Sequence, residues 1–438
     1  MARINVANKN NEKTHEGGPA FGHLTPMQSL RRSVMSCLLW EDEFYEDGKT
    51  IADRIVETAK VCPSADVAAL AIEARNVMHL RHVPLLLLRA LVRTAPHLVA
   101  ETMSRVISRA DEMGEFLSLY LATNDGRRTF PRQMRLGLGR AMAGFDEYAL
   151  AKYDRDGKVK LRDVLRIARP KPFGPEQSAL WKRAVTRTLA TPDTWEVGLS
   201  SGADKKETFE RLLKGRKLGY LALLRNLRNM AEANVDVDLI REAILARRGG
   251  AQMVFPFRYI AAARVAPMYE PQLDIALQAA IAELPVLLGK TIVLIDVSGS
   301  MDHAMSRKSD MKRIDAAAAL GAIVHGDIRL FTFSDLLREI PPRHGMAGVD
   351  AIVRSQPHGG TNLGAAIAQI NANVPADRLI VVTDEQSHDA VPNAFAKGYM
   401  INVASNKNGV GYGKWTHIDG FSENVLRYIN EIERSEAA

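Results

Sequence analysis

Five oxygen-bearing side chains in the last third of the chain have the types and spacing to hold a hard divalent cation: Asp296, Ser298, Ser300, Thr361 and Asp384. Asp296 closes the apolar run Thr291–Val297, and the turn after it alternates Asp296, Ser298 and Ser300, so three oxygens can face one way. Asp384 follows a second apolar run, Arg378–Thr383, and Thr361 sits in a Gly-Gly-Thr-Asn loop just before a helical stretch. In an open α/β sheet, ligands bind beyond the carboxyl ends of the strands. An all-oxygen set of hydroxyls and carboxylates suits Mg²⁺, with Mn²⁺ and Ca²⁺ as alternatives, and does not suit zinc. Few directly bound carboxylates would leave such an ion under-neutralised, so it would attract an anionic oxygen from a partner or keep water. No general base is placed in the sequence to activate that water, so catalysis, for example by a metal-dependent phosphodiesterase, is the least favoured use of the site.

Two other features carry less. Gly289-Lys290-Thr291 looks like the end of a phosphate-binding loop, but Leu284 stands where that motif needs glycine, and the segment precedes a strand where the motif follows one. His325, His344, His358 and His388 have no metal-ligand spacing and read as solvated or core-edge side chains.

A second chemistry is suggested by charge. The net charge of +7 is unevenly spread: residues 1–290 hold 44 Lys+Arg against 34 Asp+Glu, whereas residues 291–438 hold 14 against 17. The excess concentrates in residues 151–250, with 22 basic against 13 acidic. Within Lys152–Lys171 lie Lys152, Arg155, Lys158, Lys160, Arg162, Arg166, Arg169 and Lys171 against three acidic residues. Arg162, Arg166 and Arg169 fall on one helical face, with Leu161, Val164, Leu165 and Ala168 on another. A further group is Lys205, Lys206, Arg211, Lys214, Arg216 and Lys217. Confined positive charge of this kind suits a polyanion, because Arg donates bidentately to phosphate oxygens. Aromatic residues make up only 6% of the chain, which favours backbone and shape recognition over base reading.

The elements that must position these groups are of two kinds. From about Leu24 to Ala282 the pattern is helical, with stretches at 26–40, 67–81, 84–95, 96–109, 115–122, 132–144, 148–153, 162–169, 178–189, 205–213, 220–233, 237–247 and 271–282. Such a series, with short connections and no fixed period, suggests paired helices stacked as a solenoid. Near Gly289 the pattern changes to apolar strands at 291–297, 327–333, 378–383 and 399–404. Helices at 313–324, 346–354, 363–373 and 422–434 complete it. Strands of this kind alternating with helices indicate a parallel sheet covered on both faces. The expected organisation is a tail over 1–20, a helical region over 21–285 and an α/β domain over 286–438.

Composition sets outer limits. At 438 residues and 46% hydrophobic the chain is long enough for two or three globular domains. The longest apolar run, Ala316–Val324, is far short of a membrane span, and the first 20 residues lack the apolar stretch of a signal peptide. Two cysteines, Cys37 and Cys62, are consistent with a reduced, cytoplasmic protein.

The ordered set Asp296, Ser298, Ser300, Thr361 and Asp384 resembles the metal-ion-dependent adhesion site of von Willebrand factor A domains. The helical region resembles the TROVE module of the Ro autoantigen family, through Arg31–Gly48, Arg75–Pro84, Lys152–Pro172, Thr194–Lys206 and Leu218–Met230, with His417–Ser422 adding to it at the other end. The resemblance implies a mostly α plus α/β protein: a ring of HEAT-like helical repeats closed by a Rossmann-like A domain. It further implies that Y-like RNA binds on the outer surface, with Lys152 and the following helix as contacts, and that single-stranded 3′ ends of misfolded non-coding RNA enter the ring. The expected protein is therefore a non-catalytic, monomeric RNA-binding scaffold for RNA quality control, with an acidic protein ligand or a ribonuclease tethered through RNA as further partners. The competing reading is a metal-dependent protein-docking module in which the A domain supplies the function.

Overall fold

The computed structural model describes residues 25–36, 48–122, 129–154, 157–304, 311–385, 387–403, 415–419 and 424–436. The expected N-terminal tail over 1–20, Arg155, Cys37 and the 420–422 part of the C-terminal resemblance lie outside the described residues. The chain divides into two compact units, with the break between Ala203 and Asp204.

The first unit is entirely helical among its described residues. It contains α1 (Pro26–Ser36), α2 (Gly48–Val61), α3 (Ser64–Asn76), α4 (Val83–Thr94), α5 (Pro96–Val106), α6 (Ala110–Ala122), α7 (Arg132–Ala143), α8 (Glu147–Tyr153), α9 (Leu161–Ala168), α10 (Pro175–Thr186) and α11 (Trp195–Ser200). Pro84, Pro96 and Pro175 stand in first turns, where the missing N–H costs nothing. Helix α4 is the apolar centre, with Leu85, Leu86, Leu87 and Leu88 all at most 2% exposed. A buried ion pair ties α3 to α6: Arg75 Nη2 lies 2.6 Å from Glu112 Oε1. Burial pushes the Glu112 carboxyl up, against the opposing pull of Arg75 and two backbone N–H groups, and the net shift is upward.

The second unit joins six helices to a sheet. The helices are α12 (Lys205–Lys214), α13 (Tyr220–Arg225), α14 (Leu227–Glu232), α15 (Val237–Ala246), α16 (Pro256–Val265) and α17 (Glu270–Ala282). They are followed by β1 (Leu287–Asp296), α18 (Arg313–Ile323), β2 (Gly326–Phe333), β3 (Leu337–Ile340), α19 (Gly345–Val353), α20 (Leu363–Asn373), β4 (Arg378–Thr383), β5 (Lys397–Asn402), β6 (Trp415–Asp419) and α21 (Asn424–Glu436). The change from helices to strands falls between Ala282 and Leu287, but the compact unit reaches back to Asp204. The reason is direct bonding: Arg264 on α16 pairs with Asp315 on α18 at 3.0 Å, and Asp274 on α17 accepts the Met346 N–H at 2.8 Å.

The sheet order is β3-β2-β1-β4-β5-β6, parallel throughout except for the antiparallel edge pair β2–β3. Ile292 and Leu294 of β1 join Phe331, Phe333, Leu379, Val381 and Met400 in packing against Leu363, Ile367 and Ile370 of α20. Helix α18, whose run Ile314–Ile323 is buried throughout, also packs against β1. Chain order reverses between β1 and β4, so a crevice opens at their carboxyl ends.

Candidate functional site: a carboxylate–hydroxyl cluster and a basic face

The strand ends bring Asp296, Ser298, Ser300 and Asp384 together, and the loop that carries Thr361 meets the turn after β1 where the Gly299 N–H donates to the Gly359 carbonyl at 3.0 Å. Asp296 is the last residue of β1 and Asp384 directly follows β4; both are fully buried, and Ser298 and Thr361 are nearly so. The turn after β1 is closed by the Ser298 N–H donating to Asp296 Oδ1 at 2.9 Å, and the Ser298 and Ser300 hydroxyls lie 3.2 Å apart. Asp296 Oδ2 accepts the Thr383 hydroxyl at 2.6 Å, and that same hydroxyl accepts the Glu385 N–H at 3.0 Å. Glu385 itself is held at φ 62°, a left-handed conformation uncommon for a non-glycine residue, so the chain turns sharply just after Asp384. Burial first, and the neighbouring Asp384 charge second, push the Asp296 carboxyl up to about 7, while the Ser298 and Thr383 hydrogen bonds pull the other way.

Thr361 is held by its backbone. Its N–H donates to His388 Nδ1 at 3.2 Å, and its carbonyl accepts the His388 N–H at 3.0 Å. Asp389 accepts the Gly364 and Ala365 N–H groups at 2.8 and 2.7 Å, capping α20 directly after the threonine loop. A Cβ at Gly364 would run into the Ala390 carbonyl, so glycine lets the helix start against this segment. None of the hydrogen bonds made by the described residues uses the Thr361 hydroxyl. His358 Nδ1 lies 2.7 Å from the Val297 carbonyl. Two of the four histidines that read as core-edge side chains thus brace the two loops of the cluster.

Sequence reasoning missed three groups here: Thr383, which holds Asp296; Arg313, whose Nη1 lies 3.3 Å from Asp384 Oδ2; and Asp335, whose Oδ1 accepts the Gly360 N–H at 2.9 Å. No motif marks them, because each acts through a partner distant in sequence. Among the described residues no group of three or more His, Cys, Asp or Glu is disposed to hold a metal ion. The cluster differs in kind, with two carboxylates and three hydroxyls. Two buried carboxylates close enough for one to raise the other's pKa form an environment that a divalent cation fits.

The basic segment is built in the helical unit. Helix α8 is capped by Asp146, which accepts the Ala149 N–H at 2.7 Å, and presents Lys152 beside Tyr148 and Tyr153, 5.6 Å from each ring centre. The following loop passes close to α6, and a Cβ at Gly114 would lie 2.7 Å from the Val159 carbonyl. Helix α9 starts where the Lys160 N–H donates to Asp163 at 3.0 Å, and it buries Leu161, Val164 and Leu165. Ala168, expected on the same apolar face, is half-exposed.

The arginine stripe is only partly a helical face. Helix α9 ends at Ala168, and Arg169 is its cap in the left-handed conformation (φ 47°), with Nε donating to the Arg166 carbonyl at 3.3 Å. Arg166 and Arg169 are exposed, as are Lys158 and Lys171, whereas Lys152, Lys160 and Arg162 are half-buried. The Arg162 Nε is buried with no hydrogen-bond partner among the described residues. The second basic group is on and just after α12: Lys205, Lys206, Arg211, Lys214, Arg216 and Lys217 are all exposed, with Lys206 and Lys214 both turned toward Glu210.

Comparison with known proteins agrees with this architecture. The TROVE domain family model matches residues 178–273. The crystal structure of the Ro (RSR) protein of Deinococcus radiodurans superposes with a TM-score of 0.68 at 16% identity, covering 94% of this chain and 100% of that one. Residues 178–273 are thus similar to a TROVE domain, and the chain shares the fold of that Ro protein. A further match, to an aerotolerance-related membrane protein of Bacteroides fragilis with multiple mutations to serines, has a TM-score of 0.22 at 16% identity over 26% of this chain and 66% of that one, and carries no argument. The Ro-type fold here contains no helix, among the described residues, long and apolar enough to cross a membrane. Cys62 is buried and unpaired in it.

Proposed function

We propose that this protein is a non-catalytic RNA-binding scaffold of the Ro type. It binds small structured, Y-like RNA along the face that carries Lys152, Lys158, Lys160, Arg166, Arg169 and Lys171, and it takes single-stranded ends of misfolded non-coding RNA in quality control. One observation carries the reading: in a chain with a Ro-type fold and a match to the TROVE family model, the basic segment Lys152–Lys171 leaves Lys158, Arg166, Arg169 and Lys171 exposed with no acidic partner among the described residues. Four exposed cations on one short helix and its flanking loops suit a phosphate backbone, whose contacts position a nucleic acid without reading its sequence.

In the same reading, the cluster at the end of β1 and β4 holds a divalent cation, best Mg²⁺. Ser298, Ser300 and Thr361 supply hydroxyl oxygens, and Asp296 and Asp384 supply the negative charge. Both Asp296 oxygens already accept protein hydrogen bonds, so this residue orients the Ser298 turn as well as balancing charge. The cation's chemistry there is to accept an anionic oxygen from a partner such as an acidic protein side chain.

The test is crosslinking in the native host followed by sequencing of the RNA that co-purifies. The expected result is a small set of structured non-coding RNAs, depleted when Arg162, Arg166 and Arg169 are together changed to Ala. Recovery no greater than in an uncrosslinked control overturns the reading.

A further inference from the structure

The loop between α9 and α10 carries one large apolar side chain that is almost wholly in solvent. Phe173 is 89% exposed, the most exposed of the large hydrophobic residues described. It lies two residues after Lys171 and four after Arg169, both exposed.

The backbone beneath the ring is fixed. Its own N–H donates to Gln177 Oε1 at 2.9 Å, and Gln177 Nε2 donates in turn to the Ala143 carbonyl of α7 at 3.3 Å. Pro170 rests on the same helix, where a Cβ at Gly139 would lie 3.2 Å from the proline ring. Pro172 limits the chain before the ring, and Gly174 followed by Pro175 opens α10 immediately after it. The loop is therefore positioned while its aromatic group is left in water. The aromatic rings of α8 are already engaged: Tyr148 and Tyr153 flank Lys152, and Arg109 lies 4.4 Å over Tyr153. Among the described residues no ring or cation packs on Phe173.

A held, exposed aromatic face beside exposed cations is the combination that single-stranded nucleic acid sites use, with cations on the phosphates and a ring under a base. An aromatic ring stacks on any base, so such a contact is tolerant of sequence. A base inside a duplex is stacked on both sides and cannot take it. We propose that Phe173 is a stacking platform for one unpaired base of RNA whose phosphates lie along Lys158, Arg166, Arg169 and Lys171. This rests on the RNA-binding reading above and adds to it a preference for RNA with an unpaired nucleotide at this face. The low aromatic content of the chain pointed to backbone and shape recognition alone; one exposed ring at this position changes that expectation locally.

The experiment measures affinity of the full-length protein for two probes, an RNA stem with a single-stranded extension and the same stem as a blunt duplex, across a salt series. Phe173→Ala is compared with Phe173→Trp and Lys171→Ala. Stacking on one base contributes about 5- to 150-fold in affinity. Phe173→Ala is expected to lose a factor in that range on the extended probe, to leave the blunt duplex unchanged, and to keep the salt slope of the native protein. Phe173→Trp retains affinity, and Lys171→Ala lowers the slope on both probes. Native affinity of Phe173→Ala for the extended probe overturns the proposal and leaves RNA binding standing, with the ring then assigned to a contact with protein. An equal loss on both probes also overturns it. If the native protein binds neither probe at low salt, the underlying RNA reading fails as well.

Discussion

Asp296 is the residue on which the metal reading turns. Its carboxyl is raised to about 7, from an ordinary 3.8, by burial first and by the Asp384 charge second. In the metal-free protein, between those two pH values the folded state holds a proton that the unfolded chain has released. This contribution to stability is present at low pH and is lost as pH rises toward 7. A cation must displace that proton to bind, so Mg²⁺ affinity should rise by up to about tenfold per pH unit below 7 and level off above it. Calorimetric titration at pH 6 and pH 8 checks this, and an affinity independent of pH contradicts it. Asp296→Asn removes the charge while keeping the shape. It should abolish Mg²⁺-dependent thermal stabilisation with little loss of metal-free stability at pH 8. At this scale the strand-end positions of Asp296 and Asp384 were legible, since the apolar runs that precede them are visible in one dimension. The sequence was silent on Thr383 as the hydrogen-bond donor to Asp296 and on Arg313 as the partner of Asp384, because those pairings span 87 and 71 residues.

Elements with strong apolar periodicity lie close to where the sequence places them. Strands β2 and β4 and helices α5, α7, α9, α12, α15 and α20 begin within a residue or so of their expected positions. The missed elements are β3, β6, α2, α11 and α16, and several of them have a physical cause. Strand β3 is a four-residue antiparallel edge, Leu-Arg-Glu-Ile, too short and too charged to show an apolar run. Helix α11 has six residues and no buried side chain, so no periodicity exists to detect. Helix α2 buries Ile55, Val56 and Ala59 but interleaves them with charged and polar residues, and α16 opens with an aromatic-rich Pro-Phe-Arg-Tyr sequence that resembles neither pattern. The stretch expected as one helix over 220–233 is two, α13 and α14, broken at Asn226, whose buried side chain donates to the Ala222 carbonyl at 2.9 Å. Short polar side chains compete with the helix ladder in this way.

The closing helix offers a stability prediction at the same scale. Arg378 at the start of β4 is 3% exposed and donates to both oxygens of Glu433 on α21, at 2.7 and 2.5 Å, and to the Thr291 hydroxyl at 2.6 Å. Burial pushes the Glu433 carboxyl up, but the Arg378 hydrogen bonds and charge outweigh it, and the net shift is downward. Stability from this pair is therefore present above the ordinary carboxylate pKa and is lost as pH falls through the depressed folded value. Glu433→Ala leaves a buried guanidinium unpaired and should cost about 3–5 kcal/mol. Replacing both partners, Arg378→Met with Glu433→Leu, should cost much less. Urea denaturation of the three proteins at pH 7 decides it, and a mild single variant would show that the pair does not fasten α21.

At the scale of the whole molecule, two classes of architecture share one chain, and the change between them between Ala282 and Leu287 was legible from the switch in hydrophobic period. What the sequence did not show is that α12 to α17 form a compact unit with the sheet. That grouping depends on the Arg264–Asp315 pair and the Asp274 cap on α19, which no local pattern encodes. Charge follows a different division: the basic excess lies before the sheet, and the exposed cations of the Lys152–Lys171 segment stand on the helical unit. The central claim is that this segment holds RNA through its phosphates. The most direct measurement is the salt dependence of affinity for a small stem-loop RNA, native protein against a variant with Lys158, Arg166, Arg169 and Lys171 all changed to Ala. Each phosphate contact contributes about 0.7–0.9 to the log–log slope. Steep salt dependence is expected for the native protein, and a slope shallower by about 3 with weaker binding at every salt concentration for the variant. Equal slopes for the two proteins, or native binding that does not weaken with salt, would contradict it.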